Sequence, residues 1–398
     1  MKLELFTASI MCIVIPPIVM RILGKRILQK DIPEKEKMYN LMKAGILCLS
    51  GPILYFVAAI FFGGLDWASG IVEPLPLPEV VKAFLFMLIL TFPMLVSIFL
   101  VIYEAAKVGM KITKERIEKK DVLEELALIL GPIFAFAFIW VTLILYLPES
   151  LTSKWWFNLA LYSVLIFLFF AFYPVILVKI GPTHNLDPEL KKELLELCSR
   201  YGVKVRDIVV KGKPEHRGAN AMVTGIIPGY RHVVLAHGLI KNFEKEEIKA
   251  VLAHEIGHIK EKHLWINALM SICWFLFWGG IIYGLSKLRL NIFSSPYFFF
   301  GIYFFAVFFW IFGIESWIIR RNEFKADEFA AKIGGREVMI RALKKLAEVN
   351  LTPEKTGKWF NILSMHPSIE ERIRHLSNSK EIAGEPSNAE LLKDSHDT

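Results

Sequence analysis

Residues Tyr297–Asp327 read YFFFGIYFFAVFFWIFGIESWIIRRNEFKAD, and this stretch decides which kind of fold the chain can adopt. Its first part, Tyr297–Ile319, is almost entirely apolar and aromatic, and about 20 such residues form a helix long enough to cross a bilayer. Two arginines end the apolar run, and Glu323 and Asp327 follow them closely. The stretch therefore predicts a membrane span that leads directly into a polar helix.

The overall composition also indicates a membrane protein. Hydrophobic residues make up 54% of the 398 residues and aromatic residues 13%, whereas soluble domains usually contain about 45–50% apolar residues with glycine included. This composition excludes a disordered or collagen-like chain, and the four cysteines show no disulfide pattern. We predict seven transmembrane helices: Leu5–Leu23, Ala44–Gly63, Val80–Ile102, Leu126–Leu147, Phe157–Val178, Leu264–Leu285 and Tyr297–Ile319.

Positive charge alternates between the loops that connect these spans. The first loop (residues 24–43) and the third (104–122) each contain six Lys or Arg residues, whereas the second contains none and the fourth only Lys154. Because Lys and Arg are enriched in cytoplasmic loops, we predict a multi-pass protein with its N-terminus outside and its polar domain in the cytoplasm. The net charge of +8 thus reflects topology, so we expect the lipid bilayer as a partner and no nucleic acid.

The polar residues outside the spans fall mainly into two segments. They are expected to form one cytoplasmic α+β domain from helices and a small antiparallel sheet, with a hairpin around Pro228-Gly229. The predicted organisation is a five-span region (1–178), a first cytoplasmic segment (179–263), a two-span hairpin (264–319), a second cytoplasmic segment (320–377) and a disordered tail (378–398). The chain as a whole is expected to be mostly α-helical.

Two histidines four residues apart lie in the first segment, in the sequence His254-Glu255-Ile256-Gly257-His258. On a helix, this spacing places both imidazoles on one face, where they can bind one metal ion. Glu255 is too close in sequence to be a comfortable third ligand, but its carboxylate can act as general base for a water that attacks a carbonyl group. The motif predicts a hydrolytic metal site.

A third protein ligand is expected in the second segment, because hydrolytic zinc sites use three protein ligands and keep one open position. Glu323 is the candidate, since two intervening spans return the chain to the same side, and both His258 and Glu323 lie within about 10 Å of the bilayer edge. Asp327, one turn further, is expected to accept a hydrogen bond from a ligand imidazole, whereas the competing Glu328 is expected to face away. Two imidazoles and a carboxylate predict one Zn²⁺ per chain.

In several blocks the chain resembles the integral-membrane zinc metallopeptidases that include the type I CAAX prenyl endopeptidases and the HtpX proteases. The blocks are Gly218-Ala219-Asn220-Ala221, Ala250–His258 and Arg320–Asp327, and His366-Pro367 is similar to a downstream His-Pro element of that family. Seven spans, with the two ligand blocks separated by a membrane hairpin, are most similar to the CAAX prenyl protease type. The resemblance implies a gluzincin-like metallopeptidase domain with zinc ligands at His254, His258 and Glu323 and the catalytic base at Glu255.

The same resemblance implies roles for residues outside the metal site. Asn220, with Ala221 beside it, matches an edge strand that pairs with the substrate backbone, and His366 matches a histidine that stabilises the oxyanion. The residues alone leave other interpretations open, because Asn220 could be a turn residue before a strand and His366 a packing residue beside Pro367.

These observations predict an enzyme, a membrane-embedded zinc metalloendopeptidase in which Glu255 activates the nucleophilic water. Its expected substrates are membrane-associated or lipidated (CAAX-type) peptides, or misfolded membrane proteins, cut at the cytoplasmic face. The alternative is a non-enzymatic transporter or scaffold with a structural metal site, but a transporter should carry more ionisable residues within its spans. The Lys-, Ile- and Glu-rich composition and the lack of a retrieval signal at Ser395–Thr398 favour a prokaryotic cell membrane over the endoplasmic reticulum.

Overall fold

The computed structural model describes residues 2–115, 118–179, 182–225, 227–287, 296–353, 357 and 366–379. From residue 380 onward, the tail predicted to be disordered lies outside the described residues. The chain divides into two compact units, Met1–Leu165 with Asn291–Phe300 and Ile166–Leu290 with Gly301–Thr398. The domain boundaries drawn from the sequence follow the membrane instead of these contacts, and they stay a prediction.

Within the described residues, seven helices are long and apolar enough to cross a membrane, which confirms the predicted number of spans and the mostly helical fold class. The helices extend beyond the predicted apolar windows because polar residues at their ends continue the helical hydrogen bonding; the third span lies in a helix of 35 residues. The helices up to residue 179 are α1 (Lys2–Gln29), α2 (Glu34–Phe61), α3 (Gly64–Val72), α4 (Glu79–Thr113), α5 (Lys119–Tyr146), α6 (Glu149–Thr152) and α7 (Trp155–Lys179).

In the first unit, α1, α2 and α4 pack against one another around a small apolar cluster. Its buried members are Leu5, Cys12, Tyr55, Ala59 and Leu90. The helix α3 lies in the second loop and was not predicted. It begins after Gly63, whose φ of 77° lies in the left-handed region that glycine adopts without strain.

The remaining elements belong largely to the second unit. They are β1 (Thr183–His184), α8 (Pro188–Arg200), β2 (Asp207–Lys211), β3 (Ala221–Thr224), β4 (His232–Ala236), α9 (His237–Asn242), α10 (Lys245–Lys260), α11 (His263–Lys287), α12 (Pro296–Phe309), a π-helix (Trp310–Glu315), α13 (Ser316–Gly334), α14 (Arg336–Val349) and α15 (Ile369–Asn378).

The sheet of this unit has the strand order β1-β2-β4-β3. The predicted hairpin is confirmed, because β3 and β4 pair antiparallel with Val223 opposite Val233. The prediction of a purely antiparallel sheet was wrong, because β2 and β4 pair in parallel, from Asp207 opposite His232 onward. The chain after β2 crosses to the far edge before it forms β3, so the returning β4 inserts between them parallel to β2. This topology leaves β3 as an edge strand.

The core of the second unit lies between the sheet and the helices α8, α10, α13 and α14. The helix α10 is central, and Ile248, Leu252 and Ile256 on it are fully or almost fully buried. It approaches α13 closely, since a Cβ placed on Gly257 would lie 3.1 Å from the Cα of Ala326. This close packing brings the segment that precedes the two-span hairpin and the segment that follows it together beside the histidine pair.

Candidate metal centre

The helix α10 begins with a capping box in which Glu244 and Glu247 satisfy each other's backbone N–H groups. Its apolar residues face the core, so the helical period turns His254 and His258 toward one end of that core. The Nε2 atoms of the two imidazoles lie 3.1 Å apart. The structure thus brings both predicted histidine ligands to one point.

Glu323 completes the group from α13. Its carboxylate lies 3.6 Å from Nε2 of His254 through one oxygen and 3.4 Å from Nε2 of His258 through the other. One ligand atom from each of the three residues lies within 4.8 Å of the others. Donor atoms placed tetrahedrally at zinc-ligand distance are separated by about 3.3 Å, so the arrangement fits one zinc-sized ion.

The other ring nitrogen of His254 is fixed by Asp327. Nδ1 lies 2.9 Å from a carboxylate oxygen of Asp327, whose side chain is fully buried. Arg372 on α15 donates two hydrogen bonds to the same carboxylate and thereby neutralises it. Although burial works against the charge, the pKa of the Arg372 guanidinium is raised above its usual value, chiefly by Asp327. Sequence reasoning selected Asp327 but assigned no role to Arg372.

The other ring nitrogen of His258 contacts a third histidine. Its Nδ1 lies 2.7 Å from Nδ1 of His263, the buried first residue of α11. When Nε2 of His258 faces a metal, the proton resides on Nδ1 and is donated to His263. The sequence analysis did not select His263; its position five residues after His258 was the available signal.

Glu255 lies beside the metal-ligand group and contacts the edge strand. Its carboxylate accepts a hydrogen bond of 3.1 Å from the backbone N–H of Val223 on β3. Burial raises the pKa of the Glu255 carboxyl above its usual range, and the imidazoles of His254 and His258 offset part of that increase. A carboxylate in this state is suited to accepting and releasing a proton.

The centre opens into a cavity of about 940 Å³ that the edge strand β3 lines on one side. Asn220 and Ala221 lie at its wall; the carbonyl of Asn220 accepts from Ala236 on β4, and its side chain accepts from the N–H of Ala221. Because successive residues of a strand point their backbone groups to opposite sides, the backbone carbonyls of Ala221 and Val223 face away from β4 and toward the cavity. The backbone carbonyl of Asn220, in contrast, is used within the sheet, because it accepts the hydrogen bond from Ala236.

His366 also lies at this cavity, with Nδ1 3.3 Å from an oxygen of Glu323 and a side chain that is 66% exposed. It precedes α15, whose first turn has a capping box between Ser368 and Glu371. Glu371 also accepts a hydrogen bond of 2.9 Å from Arg320. This ion pair, with the one between Arg372 and Asp327, ties α15 to α13 and so holds His366 near the site.

Comparison with known proteins identifies the family. The model of peptidase family M48 matches residues 184–380, which contain every candidate site residue. Protease HtpX of Hahella chejuensis is 30% identical over 224 residues, which cover 50% of this chain and 74% of that protein. The chain belongs to peptidase family M48. Protease HtpX of Pseudomonas aeruginosa is 31% identical over 210 residues and covers 46% of this chain and 70% of the relative.

The similarity in fold to a solved structure extends to the membrane helices. The crystal structure of S. mikatae Ste24p matches with a TM-score of 0.68 at 22% identity and covers 94% of this chain and 98% of the other. The prediction of a membrane-embedded metalloprotease is thereby confirmed, and so is the multi-pass membrane architecture. The non-enzymatic alternative does not agree with membership of a peptidase family.

Proposed function

We propose that this M48 chain is a zinc endopeptidase that cleaves membrane-associated polypeptides. The observation that carries the proposal is the convergence of His254, His258 and Glu323 beside the half-buried carboxylate of Glu255. Two imidazoles and a carboxylate with an open side suit zinc better than Mg²⁺ or Ca²⁺, which prefer oxygen ligands.

Glu255 is the proposed general base. Zinc bound by these ligands would supply a Lewis acid that polarises the scissile carbonyl and acidifies water. The carboxylate of Glu255 takes a proton from the attacking water and later delivers it to the leaving amine. The N–H of Val223 orients the carboxylate for this transfer.

The edge strand β3 is the proposed binding site for the substrate backbone. An extended peptide adds to this edge beside Ala221 and displaces the Asn220 side chain from the N–H of Ala221, with Asn220 at the strand entrance. We propose that His366 donates a hydrogen bond to the oxyanion that forms at the scissile carbonyl. The Asp327 carboxylate keeps the His254 ring oriented throughout.

The substrates are proposed to be polypeptides held at the membrane, because the last span continues into the helix that carries Glu323. Lipidated peptides and misfolded membrane proteins both meet this description. The Lys and Arg content of the loops supports a cytoplasmic catalytic domain and an outside N-terminus, and the composition supports a prokaryotic cell membrane.

The test uses the full-length wild type and Glu255→Gln in detergent, with the metal content of each determined. Both are incubated with a farnesylated peptide and with the same peptide lacking the lipid, and fragments are identified by mass spectrometry. We expect one zinc per chain in both proteins and cleavage by the wild type alone. Cleavage of both peptides would assign a protease that does not need the lipid, whereas cleavage of the farnesylated peptide alone would assign a prenyl-protein protease. A wild type that holds no metal and cuts neither peptide would contradict the proposal.

A further inference from the structure

Glu315 is an ionisable residue inside the last membrane span, eight residues before Glu323. It ends the π-helix, and π-helical turns within longer helices occur frequently at functional sites. Its side chain is half-buried, and no described residue forms an ion pair or a hydrogen bond with its carboxylate. Carboxylates within membrane spans are energetically costly and usually mark a binding site or a transport path. Among the described residues, none neutralises the carboxylate of Glu315.

The helical period places Glu315 on the cavity side of its helix. Ile319, Asn322 and Glu323 line the catalytic cavity. At about 100° per residue, Glu315 lies about 40° from Ile319 and about 20° from Asn322 around the helix axis. Trp317 lies about 200° away and is 62% exposed. Glu315 therefore lies on the same face of this helix, one turn beyond the residues that line the cavity and on the membrane side of them.

The distance from Glu315 to the metal ligand fits a short stretch of substrate. Eight helical residues correspond to a rise of about 12 Å between Glu315 and Glu323. An extended peptide advances about 3.3 Å per residue, so this distance spans three to four residues from the scissile bond. A side chain at that position of a bound substrate would reach the carboxylate.

We propose that Glu315 binds a Lys or Arg side chain located three or four residues from the scissile bond of a membrane-anchored substrate. The inference rests on the proposed function and adds a preference for a positively charged residue in the substrate. Anchored polypeptides supply such residues, because Lys and Arg are enriched where membrane spans meet the cytoplasm. Their long stems pack along apolar walls such as Ile319, while the charged end pairs with the carboxylate.

The experiment measures binding separately from cleavage. In the catalytically silent Glu255→Gln protein, reconstituted in nanodiscs, fluorescently labelled anchored peptides carry a single Lys, or Gln in its place, at each of the third and fourth positions on either side of the scissile bond. We expect the Lys peptide at one of these positions to bind about tenfold more tightly than its Gln counterpart, a difference of about 1.4 kcal/mol. The preference should fall to about one in Glu255→Gln/Glu315→Gln, and Glu315→Lys should favour a Glu peptide.

Glu261→Gln is the matched control, because its carboxylate is 41% exposed and already pairs with Lys325 at 3.4 Å. It should keep the tenfold preference for Lys. Equal affinities for Lys and Gln peptides at all four positions would overturn the inference, even if the wild type cleaves both. If the Lys peptide binds more tightly but the wild type cleaves neither peptide, the result would contradict the proposed function and leave the binding role of Glu315 intact.

Discussion

At the scale of single residues, the two candidate histidine ligands are held by chemically different partners. Nδ1 of His254 faces the Asp327 carboxylate, whereas Nδ1 of His258 faces the neutral ring of His263. A carboxylate makes its imidazole a stronger electron donor than a second imidazole does. We therefore expect the two histidines to contribute unequally to metal binding.

Replacing His263 tests this arrangement. His263→Leu removes the acceptor of the His258 proton, and loss of such a partner typically lowers metal affinity by about 10–100-fold. His263→Asp restores an acceptor and should recover most of the affinity. Zinc affinity is measured by competition with a chromogenic chelator, and the cobalt-substituted proteins are compared by absorption spectroscopy. Equal affinities in wild type and His263→Leu would show that His263 does not position the ligand.

Arg372 is expected to contribute to stability through its buried pair with Asp327, and it also lies 3.4 Å from the carboxylate of Glu323. Its guanidinium is 12% exposed and pairs with the fully buried Asp327, so Arg372→Ala leaves a buried carboxylate without its cation. Breaking a buried pair in this way costs about 3–5 kcal/mol. We expect a lowered thermal midpoint for full-length Arg372→Ala in detergent. Arg372→Ala/Asp327→Asn should lose less stability than the two single changes added together, and strict additivity would argue against the pair.

Part of this site was predictable from the sequence, and the reason is its spacing. Residues four apart on one helix face the same way, so the convergence of His254 and His258 follows from local geometry. Arg372 reaches Asp327 from a helix 45 residues further along the chain. That contact depends on how α15 packs against α13, which no local pattern in the sequence encodes.

At the scale of elements, the contact between α10 and α13 sets the distance between the histidines and Glu323. Gly257 permits this contact, since an added Cβ would lie 3.1 Å from the Cα of Ala326 and 3.2 Å from the Cβ of Phe329. The neighbouring atoms belong to backbone or to Cβ, so they cannot rotate away. The helices would have to separate.

Gly257→Ala is therefore expected to destabilise the protein by about 1–3 kcal/mol despite the better helix propensity of alanine. Zinc affinity should fall as well, because separation of the helices moves Glu323 away from the imidazoles. The matched control is Gly280→Ala in α11, where the added methyl group meets open space. Thermal unfolding and chelator competition measure both effects. A Gly257→Ala protein as stable as Gly280→Ala would show that the contact is not limiting.

The elements of the catalytic domain also show where sequence patterns stop being informative. The start of α8 is predictable from Asp187 followed by Pro188, a typical beginning of a helix, and Asp187 accepts a hydrogen bond from the N–H of Leu190 there. The hairpin of β3 and β4 was predictable because its turn is local. The parallel pairing of β2 with β4 joins strands that are separated by β3, and alternation of apolar residues does not reveal such a partner.

At the scale of the whole molecule, the seven spans were predictable because burial in lipid requires an unbroken apolar run in each helix. The polar ends of the helices and the short α3 were not, because the same residues are compatible with loops. The orientation of the chain is a prediction that rests on the distribution of Lys and Arg among the loops.

Cysteine labelling tests the orientation. Asp31 in the first loop and Glu73 in the second are exposed, whereas Cys12, Cys48 and Cys198 are buried. In intact cells, a membrane-impermeant maleimide should label Glu73→Cys, which the charge distribution places outside. Asp31→Cys should react only after the membrane is opened, and the unsubstituted protein measures the background from Cys273. The reverse pattern would place the catalytic domain outside.

The continuity between the last span and α13 has a mechanical consequence. Glu323 is carried by that span, while His258 is joined to a different membrane helix, α11, through a two-residue connection. With Ile319 at the edge of a hydrocarbon layer about 30 Å thick, Glu323 would lie about 20 Å from its middle, and a change in helix tilt of about 5° would move it by about 2 Å. The histidines and Glu323 are thus attached to two different membrane helices, and the tilt of each helix depends on the thickness of the bilayer. We expect lipids with acyl chains that are too short or too long to lower the affinity for the metal. The thickness of the bilayer would then help to determine the geometry of the centre.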